Sequence, residues 1–120
     1  MNLLAETIED LEANKRAASE VKWVGSRDGK YAMTWDEFTK VANVDYDNGF
    51  GGQEIASDLV VVGDAWWLER HEYDGSEGWS FKTTPTLQDG YKPFSTVNNG
   101  DSWCNVGDMN KPGGKYGDAA

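Results

Sequence analysis

The sequence is poor in cysteine, histidine, proline and positive charge, and each shortage narrows what the chain can be. Cys104 is the only cysteine, so no disulfide closes within the chain and a disulfide-stapled secreted scaffold is excluded. One cysteine and one histidine, His71, do not supply the usual structural zinc ligand set. Basic residues number 11 against 21 acidic ones, for a formal net charge of -10 and a sequence pI ≈ 4.4. Phosphate polymers and anionic lipid surfaces repel such a chain, so bare DNA, RNA and membranes are poor partners. The longest apolar stretches, Leu59 to Val62 and Ala65 to Leu68, fall far short of the roughly 20 residues that span a bilayer. Met1 to Asp10 carries acidic residues and no basic one, where an export signal needs a positive start and an apolar run. A soluble protein of a reducing cytoplasm is expected.

What the chain does have is aromatic weight. It holds 6 Trp, 5 Tyr and 4 Phe, whereas disordered acidic tails are poor in aromatics and cannot bury enough surface to fold. A length of 120 residues suits one domain with one core. The expectation is a single α+β domain over residues 1–110, followed by a flexible tail over 111–120, where Lys111-Pro112-Gly113-Gly114-Lys115 begins a stretch without apolar periodicity.

Leu3, Leu4, Ile8 and Leu11 recur at helical spacing among acidic residues, which predicts a short amphipathic helix ending near Asn14. Val21 to Ser26 and Tyr31 to Met33 read as strands around the turn Arg27-Asp28-Gly29-Lys30. Thr34 with Glu37 matches a capping box, and Trp35, Phe38 and Val41 follow at helical spacing, predicting a second helix over Trp35 to Ala42. Leu59 to Val62, Trp66 to Tyr73 and Gly78 to Thr83 read as an antiparallel meander with turns at Gly63-Asp64 and Asp74-Gly75-Ser76-Glu77. Trp79 and Phe81 alternate with Ser80 and Lys82, so one face of the last strand belongs to the core. From Thr84 onward the chain reads as irregular. The fold class is therefore α+β: a small antiparallel sheet, made of a hairpin and a meander, with two short helices and an irregular C-terminal segment.

The charge is concentrated. Residues 41–80 carry nine acidic residues against Arg70 alone, a balance of -8 that accounts for most of the total. Carboxylates on one face of a strand recur about every 6.6 Å, a spacing comparable to phosphates along a nucleic-acid strand. Asp45, Asp47, Glu54, Glu69, Glu72, Asp74 and Glu77 are thus candidate partner-binding residues. Trp66 and Trp67 are adjacent on a strand and point to opposite faces, so at most one belongs to a given core layer. An exposed Trp beside carboxylates suits an interface anchor, and Trp67 joins the candidate set.

No catalytic or metal site is assigned. An EF-hand starting at Asp45 needs Gly at position 50 and Glu at 56, where the chain has Phe50 and Ala56. A looser oxygen cage from Asp45, Asp47, Glu54 and Asp58 is the alternative that a calcium titration tests. His71 with Cys104 is the one conceivable nucleophilic pair, Glu69 with Glu72 lacks an identifiable cleft, and the glycines at 49, 51 and 52 lack the Lys and strand-to-helix context of a phosphate loop. No cofactor is expected.

Gly51-Gly52-Gln53-Glu54-Ile55, the run Leu59-Val60-Val61-Val62-Gly63-Asp64 and the run from Trp66 to Glu77 resemble uncharacterised small acidic proteins of bacteriophages and prophages. The resemblance implies a mobile-element origin, in which small acidic proteins, among them anti-CRISPR proteins, disable host defence nucleases by occupying their nucleic-acid sites. It implies a non-enzymatic inhibitor in the host cytoplasm, whose partner is a host protein or ribonucleoprotein with a basic groove. The competing expectations are a Trp-rich carbohydrate or small-ligand module, and a small hydrolase using His71.

Overall fold

Asn2 opens the first helix, α1 (Leu3–Ala13): its backbone is extended and its side-chain oxygen accepts from Ala5 N at 2.9 Å. Leu3, Thr7 and Leu11 fall on one face and are buried, and Glu6 is buried beside them. A single turn at Ala18–Glu20 leads into β1 (Trp23–Ser26), which pairs antiparallel with β2 (Ala32–Met33). The intervening turn is closed by Asp28, whose Oδ1 accepts from Ser26 Oγ and Lys30 N, while Gly29 takes φ 76°. The expected capping box is present: Glu37 N donates to Thr34 Oγ1 and Thr34 N donates to Glu37 Oε1, starting α2 (Trp35–Val41). Phe38 on α2 is buried and its ring centroid lies 5.6 Å from that of Trp35.

The structure is a computed structural model that describes residues 1–49, 52–98 and 102–111. The chain divides into two units, Met1–Pro85 and Thr86–Ala120. The tail expected over 111–120 lies outside the described residues except for Lys111.

In the first unit β3 (Leu59–Val62), β4 (Trp66–Tyr73) and β5 (Ser76–Thr83) form the meander, and β3 also pairs with β1. Hairpin and meander thereby become one five-stranded antiparallel sheet of order β2-β1-β3-β4-β5. Asp74 (φ 54°) and Gly75 (φ 83°) alone make the β4–β5 turn, both with positive φ as a two-residue hairpin of matching twist requires. Because two residues suffice, β5 begins at Ser76, two residues before the expected Gly78, and Glu77 is a strand residue.

Register sorts the side chains into two faces. Met33, Val24, Val61, Leu68 and Phe81 are opposite one another across all five strands. These join one hydrophobic cluster with Leu3 and Leu11 of α1, Phe38 of α2, Trp66 and Trp79, so both helices serve this face. Trp79 is buried and Phe81 packs against the cluster, as the alternation predicts. The other face carries the row Trp23, Val62, Trp67 and Lys82.

In the second unit, α3 (Val106–Met109) is one turn capped by Asn105, whose Oδ1 accepts from Asp108 N at 2.8 Å. Asn110 fastens it locally, accepting from Ser95 N and Thr96 N and donating to Thr96 O. Leu87, Tyr91, Phe94, Val97 and Trp103 are exposed. Among the described residues, no helix is long and apolar enough to cross a membrane.

The hairpin depends on the absence of a side chain at Gly25, where an added Cβ would meet the backbone oxygen of Tyr31. Gly25→Ala is expected to destabilise the fold by about 1–3 kcal/mol, read as a lower urea midpoint, because backbone must shift to admit the methyl. Gly49→Ala, where among the described residues a new Cβ would have Asp47 Oδ1 as its neighbour at 3.9 Å, is expected to stay within about 0.5 kcal/mol of wild type.

Candidate functional site

At the turn end of the sheet, α1, β4, β5 and the loop after α2 meet around one cation. Arg70 follows Trp66 and Leu68 by period two, so β4 delivers it to the core face, and its side chain has 0% relative exposure. Its Nη1 pairs with Glu6 Oε1 at 3.4 Å and its Nη2 with Glu77 Oε1 at 2.7 Å. Nη2 also donates to Tyr46 Oη at 3.0 Å, and Tyr46 Oη donates to Glu6 Oε1 at 2.6 Å, which closes a ring of bonds. The guanidinium carbon lies 4.7 Å from the Trp79 ring centroid and 5.5 Å from that of Tyr46. Trp79 is itself fixed by its Nε1 donating to Thr7 Oγ1 at 2.9 Å. Burial alone would lower the Arg70 pKa, but its bonds to Tyr46 and Glu77 and the charge of Glu6 outweigh it, and the guanidinium is held above its ordinary value.

This cluster corrects one sequence expectation. Glu77 is not available to a partner: it is 4% exposed, since it shares the phase of Trp79 and Phe81 on β5 and points to the core face. Its carboxylate does a different job, accepting from Arg70, from Glu54 N at 2.7 Å and from Ile55 N at 3.4 Å. Glu77 N in turn donates to Asn48 O. Loop residues on both sides of positions 50 and 51 are therefore tied to the start of β5.

The other carboxylates of the set divide in two. Asp45, Asp47, Glu54, Glu72 and Asp74 are exposed, and the contacts of Glu77 gather them at this end: Asn48 and Glu54 are bonded to it, Glu72 is its register partner, and Asp74 follows in the turn. Asp45 bridges to Asn2 at the start of α1. Among the described residues none of the five has a Lys, Arg or His partner within 4.0 Å. Their local bonds are to backbone: Asp47 Oδ1 accepts from Gly49 N, Glu54 Oε2 from Asp47 N, and Glu72 Oε1 from Gly75 N. Asp10 on α1 has its pKa raised by burial and by the neighbouring charges of Glu6 and Glu9.

Glu69 and Trp67 lie elsewhere, on the face away from the helices. Trp66 is buried in the core, and Trp67 is half-buried on the opposite face, with its Nε1 donating to Glu69 Oε1 at 2.8 Å. Glu69 also faces Arg27 at 3.9 Å. The structure thus separates the eight sequence candidates into an exposed rim of five, a buried anchor at Glu77, and the Trp67–Glu69 pair.

Sequence reasoning missed Glu6, Tyr46 and Arg70. The phase of Arg70 with Leu68, and of Glu77 with Trp79, was the available signal, since a charge in core phase on two paired strands implies a mate. His71 is exposed on β4, and Cys104 is a half-buried free thiol of the second unit. Among the described residues no three His, Cys, Asp or Glu side chains are grouped to hold a metal ion.

Burial, then the hydrogen bond to Glu6, push the Tyr46 phenol from 10.0 up to about 12. The unfolded chain therefore releases this proton first: the stability it confers is complete below pH 10 and is lost as pH rises to 12, by on the order of 2 kcal/mol. In Tyr46→Phe that component is absent. Urea midpoints measured across this window should converge for the two proteins as pH rises; parallel curves would contradict the buried phenol. Neither a protein family, nor a curated protein, nor a solved structure matches the chain.

Proposed function

We propose that this protein is a phage-encoded binding protein that inhibits a host nucleic-acid-binding defence complex by laying its acidic rim on that complex's basic surface, in the place of nucleic acid. It acts by occupancy, without catalysis or a cofactor, in the host cytoplasm. The observation that supports this reading best is the pairing pattern of residues 41–80. Their lone cation, Arg70, is buried between two carboxylates, whereas Asp45, Asp47, Glu54, Glu72 and Asp74 are exposed and lack a basic mate among the described residues.

Two physical consequences favour binding. An uncompensated field of one sign accelerates encounter with an oppositely charged groove and discriminates against acidic proteins. The bonds from Glu77 to the loop hold Glu54 in place before a partner arrives, so less conformational entropy is lost on association.

The test compares charge-matched variants on a partner recovered from host lysate, after both are shown to fold. Asp45→Lys, Glu72→Lys, Asp74→Asn combined is expected to weaken binding about a hundredfold or more, since each removes attraction and two add repulsion. Glu9→Lys, Glu12→Lys, Asp36→Asn combined, which makes the same charge change at exposed positions on the two helices, is expected to act only weakly. Affinity of the wild type should also fall between 0.01 M and 0.15 M salt, as the Debye length shortens from about 30 Å to about 8 Å. Equal affinity of the two variants with little salt dependence would overturn the proposal.

A further inference from the structure

On the sheet face away from the helices, Trp23, Val62 and Trp67 are opposite one another on β1, β3 and β4. The two tryptophans rise from strands two apart, about 9.6 Å at the usual strand spacing, with Val62 between them. Together with Val60 and Arg27 they line a groove of ≈ 160 Å³. That volume admits one side chain.

Glu69 stands next to Trp67 on this face, its side chain only 27% exposed. Oε1 accepts from Trp67 Nε1 at 2.8 Å, while Oε2 has Arg27 Nη2 at 3.9 Å, beyond hydrogen-bond length. A carboxylate offers about four acceptor positions, so among the described residues this one keeps unused capacity, between Val60 and Ser80 on the neighbouring strands. Arg27 is itself 55% exposed, and holds neither the groove nor the carboxylate firmly. It shows what the place attracts: a guanidinium with an apolar stem.

We propose that this groove binds an arginine side chain of the partner, with its stem along Val60 and Val62 and its guanidinium against Trp23 and Trp67, bonded to Glu69 in the place toward which Arg27 now reaches. Tryptophan is the strongest aromatic partner for a cation, and a planar guanidinium matches a carboxylate with two parallel bonds. Lysine offers a point charge that does neither as well. An anion would be drawn to Arg27 but repelled by Glu69, and a neutral sugar could stack on the tryptophans and donate hydroxyl hydrogens to Glu69 but brings no charge to match it. The inference rests on the reading of a basic partner and adds a specific anchor to a diffuse field.

The test follows the tryptophan Nε1–H signals of nitrogen-15-labelled protein by NMR. The probes are N-acetyl-arginine amide, its neutral citrulline counterpart, N-acetyl-lysine amide, benzoate and a cello-oligosaccharide. Arginine should move the signals of Trp23 and Trp67 and leave buried Trp79 unmoved. Glu69→Gln should weaken this by about tenfold, the loss of one charge-assisted interaction. Arg27→Ala should strengthen it severalfold, because an internal competitor is removed. The proposal is overturned if arginine moves neither signal in wild type and Arg27→Ala, if citrulline acts equally, or if benzoate or the sugar acts more strongly. The two readings fail separately. Rim variants that spare partner binding while arginine still enters the groove remove the acidic-rim proposal alone; rim variants that abolish binding while the groove ignores arginine remove the groove alone.

Discussion

A guanidinium taken wholly out of water is stable only when its charge and its hydrogens are met by the protein, and the first unit is arranged around meeting them at Arg70. Removing such an ion from water costs several kcal/mol, which attraction in the interior offsets only with good geometry. The partners come from three parts of the chain, Glu6 from α1, Tyr46 from the loop after α2, and Glu77 and Trp79 from β5, and they meet Arg70 on β4. Each of these segments is thereby fixed relative to the others at the turn end of the sheet. Among the described residues Arg70 Nε finds no hydrogen-bond partner, so the arrangement is costly even as it stands, and the ring faces of Trp79 and Tyr46 compensate in part. Removing any one carboxylate would leave an imperfectly matched charge in the interior, whereas the hydrophobic cluster beyond Leu68 does not depend on charge.

The same arrangement decides which charges face the solvent. It withdraws the only cation of residues 41–80 and commits Glu6 and Glu77 to it, and the remaining acids of that end have no basic mate among the described residues. Glu77 then reaches outward, through Glu54 N and Ile55 N, to position the acidic loop. Core and rim are two sides of one network. On the far face a different logic holds: Arg27 approaches Glu69 without a hydrogen bond, and the apolar slot between Trp23 and Trp67 dominates.

Local chemistry made the elements legible. Thr34 and Glu37 announce α2 because a capping box satisfies free amides within four residues, and Asp74-Gly75 announces the β4–β5 hairpin because few other residues accept positive φ. The alternation of Trp79 with Ser80 and Phe81 with Lys82 is likewise a property of one strand. What was not legible depends on pairing across distance. Glu77 read as surface because it is charged, although its phase with Trp79 placed it inside; its mate Arg70 was needed to make that phase credible. Glu6 lies 64 residues from Arg70, and no local pattern joins them. The Trp23–Trp67 groove required β1 to pair with β3 across the whole of α2 and its loop. The carboxylates at 45, 47, 54 and 74 are legible as exposed because turns and loops keep charge outside, and Glu72 is exposed because it stands at the turn end of β4.

The claim on which both the scaffold and the rim depend is that the Glu77 carboxylate, anchored by Arg70, holds the acidic loop. Amide hydrogen exchange reads it directly. Glu54 N–H, bonded to Glu77 at 2.7 Å, should exchange far more slowly than the amides of Gln53 and Ala56, for which no such bond is seen among the described residues. Exchange of Glu54 at the rate of those neighbours would contradict the account, because the loop would then be free of the buried cation.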